Sequence, residues 1–248
     1  MKNSFPSILT TACLTLLTGS SAWAATPVWN GTGSTWNVTT NWTPATAANG
    51  PASADTATFD GTGVANLNVG LTAAGTATSI AFSGTPGAYV VGTTGGFGIT
   101  LSSGGAISMA ATVANTETVN APLTLGGSYS FTNNATSSSG VLNIGGGVTG
   151  PSSAGTLTLN GSNTGTNTVS GAIVNGAGTL GLTKSGAGNW ILTGANNYGG
   201  VTAVSAGNLT VAGASGQIFG TGGITVSNGA ALILDDRGAG NALSLIHI

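Results

Sequence analysis

Charge is what this sequence has least of. Only 3% of its 248 residues are charged, against about 25% in an average soluble domain. Water must therefore be met by Thr, Ser and Asn, short side chains that suit strand faces and tight turns. The long residues that favour helices, Glu, Lys, Gln and Arg, are nearly missing, which argues against helix after about the first twenty positions. Binding of nucleic acid needs clustered Lys and Arg to neutralise phosphate. With Lys2, Lys184 and Arg237 as the only bases and a formal net charge of −2, no such patch can be assembled.

Histidine and cysteine are equally scarce, at one each. Without a base, Ser-His-Asp and Cys-His constellations fail, and so do zinc sites built from His or Cys. Glycosidases need two neighbouring carboxylates. The candidates are Asp55, Asp60, Glu117, Asp235 and Asp236, and the last two, adjacent in sequence, would face opposite sides of a strand. Followed by Arg237-Gly238 they read as a charged turn. No catalytic residue, cofactor or metal ligand is expected. Asp55 and Asp60 hint at a cation site near Phe59, but calcium takes six to eight oxygens, so a turn at Asp60-Gly61 is the simpler reading. Two matches to G-x-G-x-x-G, Gly145 to Gly150 and Gly176 to Gly181, open no helix and carry no dinucleotide fingerprint.

What is present is glycine, 44 residues of it, separating short runs with apolar residues at alternate positions. High Gly with Ser can mean disorder, but a disordered tract would not need regularly placed Leu, Ile and Val. Residues 1–24 read as a secretory signal peptide, with Lys2, an apolar centre from Ile8 to Leu17, and Ala22-Trp23-Ala24 as the cleavage site. The run is too short to span a bilayer. Cleavage there also removes Cys13, so no disulfide framework is available.

Residues 25–63 crowd Trp29, Trp36 and Trp42 together. Such indoles can form a platform for stacking on sugar rings, or they can plug the open end of a strand stack, since repeat arrays need caps. From 64 to 155 alternation continues in degenerate form (Leu67/Val69, Ile80/Phe82, Ile99/Leu101, Leu123/Leu125, Tyr129/Phe131, Leu142/Ile144), broken by Gly pairs. Glu117 there reads as a solvated strand residue. A sandwich or barrel would share the ten-residue spacing, but would not explain why the region 156–242 repeats. There TLTLNGSN at 156–163 aligns with NWILTGAN at 189–196, and strands are predicted near 156 to 159, 167 to 173, 179 to 183, 189 to 193, 201 to 211, 222 to 226 and 230 to 234. Recurrent T-x-T pairs (Thr56/Thr58, Thr76/Thr78, Thr156/Thr158) raise a further reading, a threonine ladder that orders water.

The stretch from Leu182 to Val211, with Leu182, Lys184, Gly186, Gly188, Leu192, Gly194, Asn196, Tyr198, Gly199, Gly200, Val204, Gly207 and Leu209 at matching positions, resembles the autotransporter-associated β-strand repeat, also called the passenger-associated transport repeat. The Thr usual between the Tyr and the Gly pair is missing, which shortens one turn. The resemblance implies an all-β, right-handed parallel β-helix (β-solenoid) in the passenger part of an exported protein of the cell surface or outer membrane, with no catalytic residues. The expected role is a surface stalk or adhesion element. Its partners would be a cell-surface or matrix polysaccharide, or a host or neighbouring cell surface. The alternative is a carbohydrate-binding module using Trp29, Trp36 and Trp42. Coils of about twenty residues would stack about ten deep, a rod on the order of 50 Å. Residues 243–248 abandon the Gly and Thr habit and read as foreign sequence, so the chain is expected to be a piece of a longer protein.

Overall fold

Alternating apolar residues between glycine corners give one architecture, a parallel β-solenoid. The computed structural model describes residues 24–46, 50–62, 65–85, 87–213, 217–218, 222–235 and 244–247. The leader, Asp236 and Arg237 lie outside the described residues. Among those described there is no α-helix; the chain winds through short strands, and three successive strands complete each coil. Between Thr56–Phe59 and Ala231–Asp235 a strand pairs in parallel with the strand three places later, so three sheets run along the stack, the third reduced to a single bridge between Val174 and Asn197.

The first sheet shows how the sequence produces this. Ala57, Ile80, Ile107, Phe131, Leu159, Lys184, Val204 and Val226 stand in register, each directly above the last. All but Val226 are buried. The alternate residues of the same strands, such as Thr58, Ala81 and Ser108, face outward and are partly exposed. The period of two thus turns Leu, Ile and Val inward and Thr and Ser outward. Because the coils are parallel, like residues stack on like and the core is one continuous column.

Three expectations change. From Thr56 onward coil length runs from 19 residues (Asn189 to Asn208) to 28 (Thr132 to Asn160), because corners such as 134–141 hold extra residues. Of the ten strands of the first sheet, the eight from Thr56–Phe59 to Ile224–Val226 stack one per coil and span roughly 34 Å at about 4.8 Å each, short of the 50 Å expected. The strand expected over 201 to 211 is two, Thr202–Val204 and Asn208–Ala212, parted by a turn at Gly207 with φ 64°. The expected alignment of 156–163 with 189–196 is out of phase. Thr156 to Leu159 lies beneath Gly181 to Lys184 in the first sheet, while Asn189–Leu192 belongs to the second. Every strand of a coil shares the same alternation, so local pattern cannot tell one face from the next.

The two ends are finished differently. Val28–Trp29 lies parallel to the first coil and is covered by Trp42–Thr43, which runs antiparallel with Trp29 opposite Trp42. At the other end Ser244–His247, read from sequence as foreign, pairs antiparallel with Ala231–Asp235.

Candidate functional site

The tryptophans come together at the first coil. Trp42 meets Trp29 edge-on at 5.2 Å and 75°, and Trp36 at 5.0 Å and 78°. Phe59 sits 5.7 to 6.5 Å from all three and passes the contact inward to Phe82 (5.3 Å) and Tyr89 (4.9 Å). Trp42 meets Trp29, Trp36 and Phe59 in the edge-to-face geometry that aromatic quadrupoles favour, while Phe59 and Phe82 stack at 23°. Trp29 Nε1 donates to the Asn66 carbonyl at 3.0 Å and Trp42 Nε1 to the Trp36 carbonyl at 2.9 Å. Exposure of Trp29, Trp36 and Trp42 is 0%, 0% and 1%. A sugar needs an open ring face, and none of the three presents one. The stacking platform drawn from sequence has no open face here, because the rings are packed against one another, with Trp36 Nε1 buried without a partner.

The acids are spread among turns and core. Asp55 accepts the Ala25 and Ala52 amides at 2.9 and 2.8 Å, and Asp60 accepts the Thr62 amide and hydroxyl. Asp60-Gly61 is the turn expected, with Gly61 at φ 96°. Among the described residues no three metal-ligating side chains gather. The T-x-T pairs do not stack into paired columns, since Thr56 and Thr58 lie below Ser79 and Ala81. A single outward column, Thr76, Thr100, Thr124 and Thr149, does align on the third sheet.

The polar side chains that matter are inside. Glu117, read from sequence as solvated, is fully buried in the second sheet above Tyr89. Its Oε2 accepts the Tyr89 amide at 2.8 Å, and burial pushes its carboxyl up to about 8 against the pull of that amide. Asn133, Asn163 and Asn167 form a closed amide network bridging corners of successive coils. Asn133 Nδ2 donates to Asn167 Oδ1 at 2.6 Å, Asn167 Nδ2 to Asn163 Oδ1 at 3.2 Å, and Asn163 Nδ2 to the Ala135 and Ser137 carbonyls. Buried amides persist only when paired in this way. The sequence signal was parity: Glu117 shares a strand face with Val119, Asn133 with Phe131, and Asn167 with Val169.

Lys184 follows the same rule. It shares a face with Leu180 and Leu182 and is fully buried. Its Nζ donates to the carbonyls of Ser185 (2.8 Å), Gly186 (2.8 Å) and Ala206 (3.0 Å), joining two coils. An ammonium has three donors and all three are used. Burial draws its pKa down to about 8, which still leaves it charged at neutral pH.

This coil carries the decisive comparison. Residues 182–211 match the family model described as Passenger-associated-transport-repeat. This stretch is similar to a passenger-associated transport repeat. No curated protein and no solved structure matches the chain. Geometry accounts for the repeat's residues one by one. Leu182, Leu192 and Leu209 fill the core. Asn196 Oδ1 accepts the Ile173 amide of the coil below at 3.0 Å, and the buried Tyr198 hydroxyl pairs with Thr202 at 2.8 Å. Gly186 turns the corner at φ 70°, and a Cβ there would stand 2.5 Å from the Gly161 carbonyl oxygen of the coil beneath. The repeat is thus a recipe for one coil, and every residue accounted for here serves packing.

Proposed function

We propose that this chain is an exported, non-catalytic passenger-type solenoid that serves as a surface stalk or adhesion element. The repeat at 182–211 carries this reading, because two of the three sheets run through it without a break and every residue accounted for in it serves packing. A stalk needs length, a polar uncharged flank and few protease-sensitive loops. Stacked coils whose outward columns are Thr, Ser and Asn supply these. The partner classes that suit such a surface are cell-surface or matrix polysaccharides and neighbouring or host cell surfaces, approached through many weak neutral contacts.

Beads coated with the full chain, settled on polysaccharide-, matrix- and cell-coated surfaces, test the role. Retention above that of blank beads on at least one surface is expected, and retention equal to blanks on all of them sinks the adhesive role. Indole fluorescence during polysaccharide titration should stay flat, since the three clustered rings are enclosed. A saturable change would favour the carbohydrate-binding alternative instead. Recovery of the expressed chain in the cytoplasm, with its first 24 residues intact, would overturn export.

A further inference from the structure

The second sheet repeats a device in which a buried side chain reaches down to the amide of the coil beneath. Asn167 Oδ1 accepts the Leu142 amide at 3.0 Å, and Glu117 Oε2 accepts the Tyr89 amide at 2.8 Å. Glu117 pairs in register with Leu142, and Asn167 lies one coil above that, so the acid and the amide do the same work in one column. An amide there is neutral at any pH. A carboxyl is neutral only while it holds its proton.

Glu117 is badly placed to lose that proton. Its exposure is 0%, and its Oε1 has no partner. Below it lie Tyr89, whose buried hydroxyl is also without a partner, and the charge of Asp60, which acts on that hydroxyl. Above it is Leu142. No base faces it: Lys184, the one basic side chain among those described, is committed to the carbonyls of Ser185, Gly186 and Ala206. An ion at this point would be buried without compensation, the arrangement that costs most. Its position is also a boundary, because Tyr89 belongs through Phe59 to the aromatic block of the first coils.

We propose that Glu117 is a proton-controlled latch: as the neutral acid it closes the aromatic block onto the coils above, and loss of its proton opens the boundary between Tyr89 and Glu117. The sign follows from linkage. The folded carboxyl holds its proton up to about pH 8, whereas an opened boundary releases it near the ordinary value of 4.5. Between those limits each pH unit favours opening about tenfold. Above about pH 8 both states are ionised and the effect levels off.

Amide hydrogen exchange on the full chain and on Glu117→Gln, compared at each pH from 5 to 9 so that base catalysis cancels, reads this directly. The expected result is an opening ratio at Tyr89, Val90 and Glu117–Val119 that grows about tenfold per unit up to pH 8, while Leu180–Lys184 shows no trend. A constant ratio overturns the latch, and so does an equal trend at Leu180–Lys184. Glu117 is the only glutamate in the chain, so 13C-glutamate labelling gives a single carboxyl signal in the wild-type protein, independent of whether the variant folds. That signal should report the protonated acid at pH 6; an ionised carboxylate at pH 6 overturns the proposal.

Discussion

The first coils and the repeat coil reach the same cross-section by different physics. Around Trp29, Trp36, Trp42, Phe59 and Phe82 the interior is filled by large rings meeting at angles, and the chain around them is irregular, with strands of two residues. Around Leu182 to Val211 the interior is mainly aliphatic, with Trp190 and Tyr198 buried singly among Leu182, Leu192, Val204 and Leu209, and the strands of the first two sheets stay in register. There the corners are closed by Gly186 and Gly207 and by side chains bonded to the backbone of the next coil. The first solution tolerates variation in the backbone because aromatic area is non-directional and large. The second demands particular residues at particular places because carbonyls and amides must meet. This explains why a family model finds residues 182–211 in a chain whose first coils have the same fold.

The largest expected effect tests the aromatic half of that comparison. Trp42 touches Trp29, Trp36 and Phe59, so Trp42→Ala should cost about 3–5 kcal/mol. Near-UV ellipticity should fall with it, and denaturant unfolding would show an early transition in which residues 24–62 become open to protease. In a nearest-neighbour array the damage stays at that end. A loss under about 1 kcal/mol in the same melt would mean that the rings are ornament to a register-driven coil.

The repeat half is tested at its corners. Gly104 and Gly186 share a left-handed backbone, at φ 79° and 70°, but a Cβ at Gly104 would meet nothing within 4 Å whereas one at Gly186 would meet the Gly161 oxygen at 2.5 Å. Gly104→Ala should cost only the conformational penalty, about 1–2 kcal/mol. Gly186→Ala should cost distinctly more, because backbone cannot yield as a flexible side chain can. Equal losses in paired thermal melts would show that stacking leaves the corners free.

Much of this was legible beforehand. Alternation such as Leu157/Leu159 and Leu180/Leu182 gave strands, and glycine spacing gave corners. The motif from Leu182 to Leu209 gave the parallel stack by resemblance. The tryptophans were legible as a cluster, but not as a closed one, since nothing in the order Trp29, Trp36, Trp42 says that each indole will be turned against another. Phase was lost for a physical reason. Alternation marks which side of a strand is inside, not which of three sheets the strand joins, so 156–163 was set beside the wrong partner. Glu117 was misjudged by residue type. Its parity with Val119 was correct and outweighs the habit of acids to face water, because a column position is fixed by the strands on either side.

Lys184 offers the smallest and most specific discrimination between the two halves, since the indole donors of the aromatic block are neutral and its own bonds to Ser185, Gly186 and Ala206 are made by a titratable ammonium. Its pKa is lowered from 10.5 to about 8 by burial, so the fold favours the neutral amine relative to the unfolded chain. The Lys184 contribution should therefore fall as the pH drops from about 10.5 to about 8 and stay level below, while the buried hydroxyls of Tyr89 and Tyr198, raised from 10.0 to about 12, pull stability down again above pH 10. The Lys184 trend runs opposite to Glu117, whose contribution is lost as pH rises from 4.5 to about 8. Together they place a minimum of stability near pH 8. The alkaline limb should be the smaller, because the Lys184 pKa moves less from its ordinary value than that of Glu117. Urea midpoints from pH 5 to 10, below the range in which the buried tyrosines contribute, would trace both limbs. Lys184→Met should flatten the alkaline one alone, and a limb that survives this substitution would assign the titration elsewhere.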